Sequence, residues 1–168
     1  ALRISQRKFP RGMQKAHRAR SNTAYKEIGA VFLHEHVDIR FTPAHAREAG
    51  YARRQGERFA VGSKSFNRSY TGRKFRQFGH VNPLQFTGES RRRAKLGATV
   101  RASSQGVRIP FPALRVFNFR HERSQIKMNH EFRVITKREN TKFAGVFDKM
   151  YDRLLNNQPT ETIIERTG

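Results

Sequence analysis

Cysteine is absent from the 168-residue sequence, which removes disulfides and thiol chemistry. A structural zinc site would then need histidine and carboxylate ligands alone. Acidic residues are scarce, 13 against 35 lysines and arginines. A metal-dependent nuclease, which gathers carboxylates around its ions, has little here to build from. No apolar run approaches the roughly 20 residues that cross a bilayer. The N-terminal stretch lacks the apolar core of a secretory signal. No serine occupies a Gly-x-Ser-x-Gly elbow, and Gly56 and Gly62 lack the Walker or dinucleotide spacing. An RNP-type aromatic motif, a KH loop and zinc-finger spacing are also missing. These absences set the expectation of a non-enzymatic protein with no cofactor and no metal, working in or assembled in a cytoplasm, without membrane contact or sequence-specific readout.

What is present is positive charge on a chain patterned to fold. The formal net charge is +22. Such a body repels itself, so it is best tolerated beside a polyanion or an acidic protein surface. Hydrophobic residues make up 36%, a low share, but 14 Phe and 4 Tyr supply bulky core material for one modest core. The charge is uneven: residues 41–120 hold 17 basic and 3 acidic residues, whereas residues 121–168 hold 9 and 7. An anionic ligand is therefore expected against the middle of the chain.

Residues 1–21 contain Arg3, Arg7, Lys8, Arg11, Lys15, Arg18 and Arg20 and no acid, with Pro10 and Gly12 breaking helical spacing. The expectation is an extended basic arm over 1–21, one α+β domain over 22–157 and a tail over 158–168. Thr23 to His34 reads as a helix from the spacing of Ala24, Ile28, Val31 and Phe32. Thr42, Pro43 and Gly50 suit the cap, first turn and stop of a short helix. Ser65 to Phe78 reads as another, ended by Gly79 and weakened by Gly72. Thr87 suits the cap of a short turn through Glu89–Arg93. Ala98–Ala102 and Val107–Ile109 alternate around a turn at 103–106 and predict a hairpin. Arg115–Phe119 and Glu131–Ile135 are further strand or extended candidates. Thr136-Lys137-Arg138-Glu139 matches a capping box and opens a long helix with an apolar stripe from Phe143 to Leu155. The predicted fold is α+β: N-terminal helices, a small antiparallel sheet, and a long C-terminal amphipathic helix packed on that sheet.

Histidines offer little chemistry. His34, Glu35 and His36 are adjacent and splay across a helix, and His130 precedes Glu131 without ligand spacing. The basic runs carry more. Arg53 and Arg54, then Arg73, Lys74 and Arg76, then Arg91, Arg92, Arg93 and Lys95 form three clusters, and with the arm residues Arg7, Lys8, Arg11, Lys15, Arg18 and Arg20 they are the candidate polyanion or partner contacts. Phe75 and Phe78 lie among the second run. They suit base stacking, but packing into the core beneath a solvated charged face suits them better.

Two stretches resemble a known group. Phe41-Thr42-Pro43-Ala44 leads through Ala49-Gly50-Tyr51 to Arg53-Arg54; Tyr70, Lys74 and Gly79 then precede Asn82-Pro83-Leu84-Gln85-Phe86-Thr87-Gly88-Glu89-Ser90-Arg91. This succession resembles small virion proteins of tailed bacteriophages, in the tail-completion and virion-morphogenesis group, over residues 24–155. The resemblance implies a Pro-Leu-x-x-Thr-Gly loop, here Pro83, Leu84, Thr87 and Gly88, leading into a small sheet closed by a C-terminal helix. It also implies a structural ring subunit of the neck, head–tail junction or tail, around the DNA channel and localised to the virion. Its partners would be neck, portal-side or tail proteins, with non-specific DNA contact. It carries over no catalytic residue. Composition alone favours a ribosomal or other RNA-assembly protein, its arm on rRNA phosphates, and only the order of motifs points away from it.

Overall fold

The computed structural model describes residues 11–119, 124 and 126–157. The helix expected from Thr23 begins at Arg11 and runs to Val31 as α1, so residues 11–21 are helical and not an extended arm. Gly12 falls in the first turn, where its propensity cost is small. Met13 to Arg20 are otherwise good helix formers. The added turns are also anchored: the Tyr151 hydroxyl and His17 Nδ1 share a hydrogen bond of 2.6 Å. Of the expected arm contacts, Arg7 and Lys8 lie outside the described residues.

Beyond α1 the backbone widens into a π-helical turn, Phe32–His36, and tightens into a 3-10 turn, Asp38–Phe41. Helix α2 is Pro43–Glu48, with the Thr42 hydroxyl accepting from the His45 N–H as the sequence indicates. The helix expected over 65–78 is two: α3 (Lys64–Arg68) and α4 (Tyr70–Phe78), broken at Ser69. Ser69 caps α4 through the Gly72 N–H and donates its hydroxyl proton to the Phe66 carbonyl. Gly79 ends α4 in the left-handed conformation, φ 69°.

Gly72 looked like a weakness in a helix. It is instead where the end of α3 touches α4: a Cβ there would lie 1.9 Å from the Phe66 carbonyl oxygen. Gly72→Ala should therefore destabilise the protein by about 1–3 kcal/mol or more, despite alanine's better helix propensity. A urea titration checks this; an unchanged or raised midpoint would mean the two helices are not held this closely.

Helix α5 is Glu89–Arg93. The hairpin follows as β1 (Arg101–Ser103) and β2 (Gly106–Arg108), antiparallel, with Ala102 opposite Val107. The two remaining strand candidates are helical. Pro112–Asn118 forms a 3-10 segment, which Pro112 opens. Met128–Arg133 forms α6, in which Phe132 is buried in the core and Glu131 is held by Arg54. The period-2 pattern of Phe132 and Val134 thus belongs to a short helix and its exit. Helix α7 is Lys137–Asn156 and shows the full capping box of Thr136 and Glu139.

The architecture is α+β, mostly helical with one two-stranded antiparallel sheet. Its layering differs from the expectation in one respect. α1 covers the hairpin, and α7 packs chiefly on α1. Tyr25 meets Phe147 (ring centroids 4.9 Å) and Phe32 meets Phe143 (6.2 Å), so the two long helices run antiparallel. A second centre joins Val37, Phe41, Leu84, Ala94, Leu114, Phe117 and Phe132. Phe132 is its hub, with Phe41, Phe111 and Phe117 at 5.8, 5.0 and 5.7 Å. Aromatic rings therefore supply what the low aliphatic content does not.

A polar centre locks the N-terminal elements to α7. Arg40 is fully buried, at 0% exposure. Its Nη1 lies within hydrogen-bond distance of three acceptors, Glu139 Oε2 (3.0 Å), the Val134 carbonyl (2.9 Å) and His45 Nε2 (2.5 Å), which share its two protons. Glu139 Oε2 also accepts the Thr136 N–H at 2.9 Å, and Oε1 pairs with His36 Nδ1 at 2.9 Å. The glutamate that closes the capping box is thus also the counterion of the buried arginine. Burial alone would raise the Glu139 carboxyl, but the Thr136 N–H, Arg40 and His36 outweigh it and hold it low. His45 is held below its ordinary 6.5 by burial and then by Arg40. That agrees with its accepting role, which requires a neutral ring.

Both shifts act in the same direction with pH. Below 6.5 the unfolded chain protonates His45 while the fold resists it. Below 4.5 the same holds for Glu139. Wherever the unfolded state binds more protons, stability falls as pH falls. Unfolding midpoints should therefore decline from about pH 6.5 downward, with a second decline below 4.5 as Glu139 protonates. Midpoints that stay flat from pH 7 to pH 4 would contradict this centre.

Candidate functional site

The three basic runs part company once folded. Arg54 turns inward and makes a two-point pair with Glu131: Nη1 to Oε1 at 3.0 Å and Nη2 to Oε2 at 2.5 Å. Glu131 also accepts the Ala52 N–H at 2.9 Å. Lys74 is buried, and its ammonium donates to the Asn82 carbonyl. Burial lowers it to about 8. These two cations, expected as contacts, instead hold the segment before α3 and the loop after α4 in place. Both line a cavity of about 270 Å³ shared with Pro83, Leu84 and Phe86. Leu84 sits at φ 56° with its side chain in the core, so this loop is held in a left-handed bend by packing.

Arg53, Arg73 and Arg76 are exposed. Arg76 leans back to donate to the Asn67 carbonyl at 2.6 Å. Phe75 packs edge-on against Phe66 (6.1 Å) and Phe78 against Phe86 (4.8 Å). Packing accounts for Phe78, which is half-buried, whereas Phe75 keeps 39% of its surface exposed and is not the core residue expected, because only one edge of its ring meets Phe66. From Arg53 to Arg76 six of the eight basic residues are exposed, against one acid, Glu57, so this segment presents a strongly cationic surface. On α1, Lys15 and Arg18 are exposed and Arg20 is half-buried.

The third run and the Thr-Gly loop come together. Thr87, Gly88, Arg91, Arg92 and Lys95 surround an open depression of about 600 Å³, completed by Asp38, His80, Asn82 and Gln85. Gly88, at φ 88°, supplies the left-handed turn into α5, and the Thr87 hydroxyl accepts the Glu89 N–H at 3.3 Å. Thr87 therefore supports the turn from one residue before the cap position. Lys95 donates to Asp38 Oδ2 at 2.8 Å, and Arg91 approaches Oδ1 at 3.8 Å. Arg92 pairs with Glu89 at 2.5 Å, and Arg93 pairs with the other oxygen of the same carboxylate. Two carboxylates thus face four cations. All these pairs are solvent-exposed and weak, so an entering anion can recruit the cations at little cost. Asp38 and His80 were not singled out from the sequence, and Asn82 and Gln85 entered it only as members of the stretch from Asn82 to Arg91.

The arrangement offers converging guanidinium and ammonium donors to a backbone of phosphates. Among the described residues no group of three or more His, Asp or Glu is placed to hold a metal, and no helix is long and apolar enough to cross a membrane. No family model, curated protein or solved structure matches the chain.

Proposed function

We propose that the chain is a non-enzymatic structural protein of a nucleoprotein particle, specifically a virion protein of a tailed bacteriophage that joins or completes the neck or tail as a ring subunit around the DNA channel. One observation carries the need for permanent anionic company. Even if every carboxylate were matched to one cation, 22 positive charges would remain. Repeating such a subunit around a channel multiplies the potential toward DNA. The depression around Arg91, Arg92 and Lys95, with the exposed Arg53, Arg73 and Arg76, is the surface assigned to phosphate contact. The order of motifs from Phe41 to Arg91 is what favours a virion over a ribosome.

Electron microscopy of the purified protein, alone and in particles from producing cells, tests this reading. Closed rings, or the protein at the capsid–tail junction or in the tail, are expected. Co-sedimentation with ribosomal subunits would overturn it in favour of an rRNA-bound structural role.

A further inference from the structure

On the side where α1 meets the hairpin, a groove of about 580 Å³ stays open. Its floor is apolar, from Ile28 of α1, Phe32 of the π-helical turn, Val107 and Ile109 around β2, and Ile135 beyond α6. Ile135 keeps 44% of its surface exposed. Among the described residues the rim is cationic: Arg108, Arg115 and Arg133 line it, no carboxylate does, and all three are exposed. An occupant should therefore be apolar at its centre and acidic at its flanks.

The chain itself contains such a segment. Residues 160–166 read Thr-Glu-Thr-Ile-Ile-Glu-Arg, so the adjacent Ile163 and Ile164 are bracketed by Glu161 and Glu165. Two isoleucines match the floor, and two glutamates match the arginine rim.

Reach within one copy is at its limit, which favours a second copy as the source. Phe143 borders the groove, and α7 continues from there to Asn156. At a rise of about 1.5 Å per residue, the helix carries the chain about 20 Å away. The six residues from 158 to 163 span at most about 20 Å when fully extended, and they would have to run straight back. We propose that segment 160–166 of one copy docks in the Arg108–Arg115–Arg133 groove of a second copy, linking subunits head to tail. This deepens the ring-subunit reading and rests on it; rings that still form when the segment is disabled would sink the linkage and leave that reading standing.

The test uses the full-length chain. Sedimentation should show self-association that rises with concentration, and Ile163→Asp with Ile164→Asp should shift it to monomer. A labelled peptide of residues 158–168 should bind that double variant saturably. Binding should weaken tenfold or more when Arg108→Glu, Arg115→Glu and Arg133→Glu are added. A peptide carrying Glu161→Arg and Glu165→Arg should restore it. A wild-type chain that stays monomeric at all concentrations overturns the proposal, as does undiminished self-association of the isoleucine variant. Peptide binding that ignores the arginine reversals overturns it as well.

Discussion

Glu139→Ala should cost about 3–5 kcal/mol of stability, the usual result of stranding one member of a buried ion pair. Against a typical total of about 5–15 kcal/mol, much of the variant would be unfolded at physiological temperature. The reason lies with Arg40, which has no exposed surface and whose guanidinium meets no other carboxylate among the described residues. The substitution also removes the oxygen that accepts the Thr136 N–H and the one that pairs with His36. Glu139→Gln keeps an acceptor for the cap and should lose less. Replacing both charges, Arg40→Met with Glu139→Leu, should recover part of the loss, because the arginine's desolvation penalty disappears with its charge. Urea titrations of the three variants check the order. A Glu139→Ala loss below about 1 kcal/mol, the scale of an exposed pair, would mean that Arg40 is solvated in the folded protein.

The second large effect concerns binding. Changing Arg91, Arg92 and Lys95 together to alanine should weaken binding to duplex DNA and flatten its salt dependence. Each lost phosphate contact removes about 0.9 from the slope of log affinity against log salt, so the triple change should remove about 2–3. Stability should barely change, since the pairs with Asp38 and Glu89 are exposed. Arg54→Ala should do the reverse: it strands the buried Glu131 and lowers stability, while the salt slope holds. Fluorescence anisotropy across a salt series separates the two. A slope unaltered by the triple change would remove the depression from the contact surface.

The parts legible in the sequence are those fixed by neighbouring residues. The Thr42-Pro43 start of α2, the Gly79 stop of α4, the hairpin around residues 103–106 and the capping box of α7 each depend on side chains within a few positions. The parts that escaped depend on distant ones. Residues 11–21 look like a free basic arm until Tyr151 docks against His17, 134 positions away. Residues 131–135 alternate like a strand, yet Glu131 is drawn into a helix that presents it to Arg54, 77 positions earlier. Arg54 and Lys74 belonged to basic runs and read as surface charges. What made them interior was the carboxylate of Glu131 and the carbonyl of Asn82. Arg40 drew no notice at all, because its counterion lies 99 residues ahead. The candidate site divides the same way: the cluster at 91–95 and the Thr87-Gly88 turn were visible, whereas Asp38 and His80 joined it only through folding.

The most direct measurement is the affinity of the intact wild-type chain for mixed-sequence duplex DNA across a salt series. If the cationic surplus exists to meet a polyanion, log affinity falls linearly with log salt, with a slope of at least about −4 and no preference for sequence. A flat line, with the protein remaining a soluble monomer indifferent to DNA at low salt, would contradict the account.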